Sequence, residues 1–352
     1  MEPMIEKLVR DNIRRMRPYS SARKEYNKTG NATIFLDANE NAFGSPLPHN
    51  YNRYPDPLQT ALREKIASVK RVAAANIFTG NGSDEAIDLL FRIFCTPGKD
   101  NVLIFPPTYG MYEVCAAVND IGVKQIPLTA EFQPDVPAAL KATDKRTRMI
   151  FICSPNNPTG NCINENLIVE LLDSFNGLIV IDEAYIDYAA QQSCARLLNN
   201  FPRLVIIQTL SKAWGLAGLR LGIALASEEI IGYMDKVKYP YNVNTATQQL
   251  AIEALDKASG INNWVSRTLE QRSWLETALN KFDIVSKVYP SDANFLLVKI
   301  QHAKKVYDYL VDHSIIVRDR SSILLCDDCL RITVGTAAEN KQLISTLEKY
   351  TA

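Results

Sequence analysis

"LVIIQTLSKAWGLAGLRLG", residues 204–222, joins an apolar run to a lysine set among a serine and small or apolar residues. Leu204-Val205-Ile206-Ile207 reads as a strand buried on both faces, because its apolar residues follow one another without polar alternation. Lys212 comes just after that strand, and the stretch from Ala213 to Leu219 offers its charge no nearby acid. Three further runs share the pattern: Val102-Leu103-Ile104-Phe105, Met149-Ile150-Phe151-Ile152 and Leu178-Ile179-Val180-Ile181. Stretches of helical period lie between them and supply the crossovers of a mostly parallel sheet, so the fold class is α/β. In such sheets ligands gather at the carboxyl ends of the strands, and the residues after each run are the ones to inspect.

Outside this core the character changes. Beyond about residue 241 a long helical stretch, residues 245–280, precedes "NFLLVKI", "IIVRDR" and "LRITVG", which read as strands of a smaller α+β domain. The first 40 or so residues read as an arm with a short strand, "TIFL". The expected division is residues 1–43 for the arm and part of the small domain, 44–241 for the large domain and 242–352 for the small one.

The composition narrows the partners. Of the 352 residues 47% are hydrophobic and 22% charged, and the 39 basic side chains balance the 39 acidic ones, so nothing points to nucleic acid or an anionic membrane. A small molecule is the expected partner. No apolar run is long enough to span a bilayer and the first 20 residues lack a secretory apolar centre, which suits a cytoplasmic protein. Cys326-Asp327-Asp328-Cys329 has the spacing of half a zinc site, but no second pair exists and the three histidines are scattered, so no metal is expected.

Three strand ends carry complementary chemistry. "MIFICSP" leads to Asn156-Asn157-Pro158-Thr159-Gly160, "LIVI" to Asp182-Glu183-Ala184-Tyr185, and "LVIIQTL" to Ser211-Lys212. A carboxylate can hold a ring nitrogen protonated and a lysine can condense with an aldehyde, and those are the two needs of pyridoxal 5'-phosphate. "TGNGSDEAIDLLFRIF" supplies a phosphate site: Gly80 and Gly82 allow a tight turn, Ser83 can cap, and Ala86, Leu89, Leu90 and Ile93 continue at helical spacing. Glu85 stands where a dinucleotide fingerprint needs its third glycine. Arg220 and Ser211 can pair with the same phosphate, and Tyr109 can stack on a flat ring. Each feature alone has an ordinary reading as a turn, a cap, a solvated lysine or a core ring; their occurrence together at successive strand ends is what describes a site.

In that order the motifs resemble the aminotransferases of fold type I, and more narrowly the histidinol-phosphate aminotransferase family. The stretches that carry the likeness include "RPYSSAR", "LDANENAFGSPLP", "RYPDP", "CSPNNPTG", "DEAYIDY", "TLSKAWGLAGLRLG", "IIVRDRS" and "LRITVGT". Ala42 departs from the family's usual proline. The resemblance implies a fold type I transferase dependent on pyridoxal 5'-phosphate, with a large domain built on a mostly parallel sheet plus a smaller α+β domain. Lys212 matches the Schiff-base lysine and general base, Asp182 the partner of the ring nitrogen, and Asn157 and Tyr185 the donors to the ring oxygen. Tyr109 matches the stacking ring; Gly82, Ser83, Asp84, Ser211 and Arg220 match the phosphate cup. Tyr54 matches a residue that reaches the neighbouring subunit's cofactor, which implies a homodimer with shared sites. Arg331 matches the residue that grips the substrate's anion, with Arg318, Tyr19 and Asn157 as accessory contacts. The implied reaction is reversible amino transfer between glutamate and imidazole acetol phosphate in histidine biosynthesis. An aromatic or broad aminotransferase, or a threonine-phosphate decarboxylase, would keep Lys212, Asp182 and Arg220. A cofactor-binding transcriptional regulator would need a basic recognition helix that is not evident here.

Overall fold

In the computed structural model, residues 5–19 and 34–350 are described. Seven strands, β1 (Ile77–Asn81), β2 (Asn101–Ile104), β3 (Gly122–Gln125), β4 (Thr147–Cys153), β5 (Leu178–Asp182), β6 (Leu204–Thr209) and β7 (Leu221–Ala226), form one sheet in the order β1-β7-β6-β5-β4-β2-β3. Strands β3, β2, β4, β5 and β6 pair in parallel, whereas β7 runs antiparallel to β6 and to β1. The unbroken apolar runs have the expected cause. Ile150, Ile152, Ile179, Ile181, Leu204 and Ile206 enter one core while their neighbours Met149, Phe151, Leu178, Val180, Val205 and Ile207 enter another on the opposite face. Successive side chains alternate across the sheet, and both faces are covered.

The reversal at β7 sets the geometry of the site. Because β6 and β7 are antiparallel neighbours, the chain between them needs no crossover helix, and residues 210–220 form a short loop at the carboxyl end of β6. The loop is folded on itself by Leu210 N–H to Leu221 O (3.1 Å), Gly215 N–H to Lys212 O (3.0 Å) and Leu216 N–H to Leu210 O (3.0 Å). Lys212 near one end and Arg220 at the other therefore stand on the same edge of the sheet. The crossover from β5 to β6 also departs from expectation, since its only helical pieces are short 3-10 turns at Ile186–Tyr188 and Cys194–Leu197.

A second sheet holds β8 (Val285–Val288), β9 (Phe295–Ile300), β10 (Arg318–Asp319) and β11 (Cys329–Thr333), all antiparallel, in the order β10-β11-β9-β8. Leu296, Val298, Leu330 and Ile332 pack with Leu275, Leu310 and Leu343 of its helices, while Phe295, Leu297 and Cys329 join the core of the large sheet. Alternation then puts Arg331 on the face that Cys329 uses, the one turned toward the large sheet.

Three expectations are corrected. The stretch 245–280 is two helices, Thr245–Asp256 and Ile261–Leu279, separated by a 3-10 turn at Ala258–Gly260, and the first of them packs on the helix Thr60–Lys70. "IIVRDR" contributes only Arg318–Asp319 to a strand, and Ile34 to Leu36 of "TIFL" are not in a strand. Thr33, Ser20 and the rest of the segment around them lie outside the described residues. Among the described residues no helix is long and apolar enough to cross a membrane.

Candidate active site

The carboxyl ends of β1, β2, β4, β5 and β6 open into one cleft of about 770 Å³, walled on its far side by the small sheet. Its lining includes Gly82, Ser83, Asp84, Tyr109, Asn157, Asp182, Tyr185, Ser211, Lys212, Arg220, Arg318 and Arg331. Tyr54 and Tyr19 are not brought there. Tyr54 is 51% exposed and stacks on Tyr241 with ring centroids 4.4 Å apart, and Tyr19 is 71% exposed.

Asp182, at the last position of β5, is 3% exposed. Its Oδ2 accepts from the Tyr112 hydroxyl at 2.9 Å and its Oδ1 from the Ala184 N–H at 3.0 Å. Burial pushes its pKa up to about 6, against the opposing pull of those two hydrogen bonds. Lys212 faces the open cleft, with its Nζ 5.4 Å from the centre of the Tyr185 ring. Its pKa is lowered, first because the cleft walls strip water from the amine and then by the charges of Arg331 and Arg220, with Asp182 pulling the other way. Tyr185 is buried edge-on against Phe295, centroids 5.1 Å apart, and burial raises its phenol's pKa.

The helix Ser83–Phe94 starts at the edge of this cleft, as its amphipathic spacing predicts, and buries Ala86, Leu89, Leu90 and Ile93. Gly82 precedes it with φ +75°, a left-handed value that favours glycine, and its N–H donates to Arg220 O at 2.7 Å. A Cβ on Gly82 would lie 2.7 Å from Arg220 Nη2, and one on Gly222 would lie 2.1 Å from both Gly82 C and Ser83 N. The two glycines let the β7 backbone press against the helix start, which aims free N–H groups into the cleft. The Asp84 carboxylate is turned aside: Oδ1 accepts from the Tyr109 hydroxyl at 3.1 Å and Oδ2 lies 3.8 Å from Arg220 Nη2. Across the cleft Arg331 donates from Nη1 to Asn157 Oδ1 and lies over the Phe295 ring at 5.2 Å.

A family profile described as aminotransferase class I and II matches residues 35–347. The chain belongs to this family. The aminotransferase is 52% identical to the histidinol-phosphate aminotransferase of Cytophaga hutchinsonii over 98% of its own length and 99% of the relative's. Among solved structures it is similar to the histidinol-phosphate aminotransferase from Clostridium acetobutylicum, with TM-score 0.79, 25% identity and coverage of 85% of this chain and 90% of that one. The histidinol-phosphate aminotransferase from Sinorhizobium meliloti in complex with pyridoxal-5'-phosphate superposes with TM-score 0.78 at 23% identity, covering 88% of each chain, and carries the fold alone. The narrower resemblance drawn from the motifs is thus borne out, as is the fold class.

Two residues of the aminotransferase's site, one buried behind the cleft and one lining it, are not singled out by the sequence. Tyr112 holds Asp182, and the visible signal was its place three residues after Tyr109 at the start of the helix Met111–Val118, where both tyrosines can face the strand ends. Arg320 lines the cleft beside Arg318 and Arg331, and the signal was the two-residue spacing in "RDR".

Proposed function

We propose that the aminotransferase uses pyridoxal 5'-phosphate to pass an amino group reversibly between glutamate and imidazole acetol phosphate, giving histidinol phosphate. One observation carries the reading: a buried carboxylate, Asp182, and a partly desolvated amine, Lys212, line a single cleft with arginines at both ends. The cleft fits the cofactor on two further counts. Gly82 and Gly222 leave no room for a Cβ and so hold the start of the helix Ser83–Phe94 close against β7, and the charge of Arg220 lies beside that helix start. Ser83 and Asp84 through their N–H groups, with Ser211 and Arg220, would hold the phosphate; Asp182 would face the ring nitrogen, Asn157 and Tyr185 the ring oxygen, and Tyr109 the ring face.

When bound, pyridoxal phosphate supplies an aldehyde that condenses with amines and a ring that takes up the electron pair left by a departing α-proton. Lys212 does the proton work. Its lowered pKa leaves more of it neutral and able to accept that proton, then to return it at a different carbon. Asp182, whose pKa burial raises to about 6, would offer a negative partner to a ring N–H from a position that is itself buried. Tyr112 orients the carboxylate from the side away from the cleft's opening. Arg331, planar and forked, suits the carboxylate of one substrate and the phosphate of the other.

The same reading makes the protein a homodimer in which Tyr54 completes the partner's site. Its support is the position of Tyr54, exposed and outside its own cleft, in a chain that also exposes the large side chains of Phe43, Leu47 and Tyr239. The division at residues 43 and 241 is proposed with it, and charged, water-soluble substrates suit a cytoplasmic enzyme. The test is spectroscopic. Histidinol phosphate should rapidly bleach the near-visible absorbance of the loaded enzyme, 2-oxoglutarate should restore it, and tyrosine or phenylalanine should act slowly. Equal rates for tyrosine would make it a broad aminotransferase, and carbon dioxide released from added threonine phosphate without need of 2-oxoglutarate would make it a decarboxylase.

A further inference from the structure

The small-sheet wall of the cleft carries more positive charge than one substrate anchor needs. Arg318 stands opposite Arg331 in the antiparallel register of β10 and β11. Arg320 follows two residues later, and its N–H donates to Cys329 O at 2.9 Å, which prolongs the pairing past the end of the strand. Two-residue alternation puts Arg318 and Arg320 on one face, and all three arginines line the cleft.

Two of these charges, on the half-buried Arg320 and Arg331, lack the partners that guanidiniums drawn out of water usually have. Among the described residues none of the three forms a salt bridge, Arg331 has one side-chain hydrogen bond, to the neutral Asn157, and the Arg320 side chain has none. The Nε atoms of Arg320 and Arg331 are both buried without an acceptor. Arg318, by contrast, is exposed to solvent, which can satisfy its donors. An unsatisfied buried N–H and a cluster of like charges are both unfavourable, and one class of ligand relieves both: an oxyanion with several acceptor oxygens and more than one negative charge. A carboxylate brings one charge and two oxygens. A phosphate monoester brings a charge of about −1.5 to −2 and three oxygens, which one guanidinium cannot match.

We propose that Arg320, acting beside Arg331, selects a phosphate dianion over a carboxylate at this end of the cleft. Arg331 serves both substrates, as its central place and its bond to Asn157 allow; Arg320 supplies the second fork that only the phosphate can fill. The inference rests on the proposed phosphate substrate, so the wild-type enzyme is measured first. If wild type turns over neither histidinol phosphate nor glutamate, the functional reading fails and the role of Arg320 falls with it.

Given wild-type activity, Arg320→Gln and Arg320→Lys are compared with it in each half reaction, with thermal melting as the check on folding. The ratio of kcat/KM for histidinol phosphate to that for glutamate should fall about tenfold to a hundredfold in Arg320→Gln, the worth of one charge-assisted hydrogen bond, with partial recovery in Arg320→Lys. A phosphate monoester gains its second charge near pH 6. Wild type should therefore bind histidinol phosphate more tightly as pH rises through about 6, and Arg320→Gln should show a flatter gain. An unchanged ratio, or a gain as steep as that of wild type, would overturn the proposal.

Discussion

The two ends of the cleft are built from different materials. At the end near Gly82 the positive potential comes from backbone N–H groups at a helix start, held by glycines that nothing larger could replace, and its arginine has an acid within 3.8 Å. At the end near Arg331 it comes from side chains on a second sheet, three arginines with no carboxylate partner among the described residues. Backbone donors are fixed in place and cost nothing to order when a ligand arrives, which suits a group that stays. Long side chains can yield to ligands of different shape, which suits molecules that exchange. The contrast is what the proposed division between a resident cofactor and two alternating substrates requires.

If the backbone end is rigid, Gly222→Ala should do the most damage. The added methyl meets backbone atoms of Gly82 and Ser83 at 2.1 Å, and these cannot swing away as a side chain can. The expected loss is about 3 kcal/mol or more in urea unfolding without cofactor, with weaker cofactor binding in whatever folds. A change below about 1 kcal/mol would mean that this end is not the tightly fitted element described.

Asp182→Asn tests the floor between the two ends. A carboxyl whose pKa rises from 3.8 to about 6 on folding binds protons more strongly when folded, so the native state loses stability as pH climbs from about 4 to about 6 and the cost is fully present above that. Removing the charge should raise the stability of the cofactor-free protein at pH 8 by up to about 3 kcal/mol, a gain that fades as pH falls toward 4, while activity is lost. A pH-independent difference would show that burial is not what moves this group.

The smallest effect is expected at the other end. Arg331→Met breaks the bond to Asn157 but relieves repulsion from Arg318 and Arg320, which together with burial lower its pKa. The opposing terms should leave cofactor-free stability within about 1 kcal/mol of wild type, although substrate binding suffers. A loss as large as that of Gly222→Ala would erase the distinction between the ends.

The chain announced the backbone end more plainly than the side-chain end. Strands buried on both faces must be apolar throughout, so β4, β5 and β6 stood out and the residues after them could be read directly. Strand β8, "VSKV", has a polar exposed middle and resembles a loop, and β10 is only two residues long. Arg320 was hidden for that reason: its side of the sheet depends on a pairing that two residues of sequence do not declare. Tyr112 was hidden for another. A tyrosine in an apolar helix reads as core, and it is core, except that its hydroxyl meets a carboxylate from a strand seventy residues away. The direction of β7 was equally silent, since "LGIALA" is as apolar as any parallel strand, yet that reversal is what brings Arg220 and Lys212 to one edge.

Borohydride reduction of protein loaded with pyridoxal phosphate, followed by digestion and mass spectrometry, examines the joint role of Lys212 and its cleft most directly. The mass of the reduced cofactor is expected on the peptide that contains Lys212 and on no other, and absent from Lys212→Ala, which should also lose the near-visible absorbance and turnover by a factor of at least about a hundred. Stable attachment to a different lysine, or full turnover in Lys212→Ala, would contradict it.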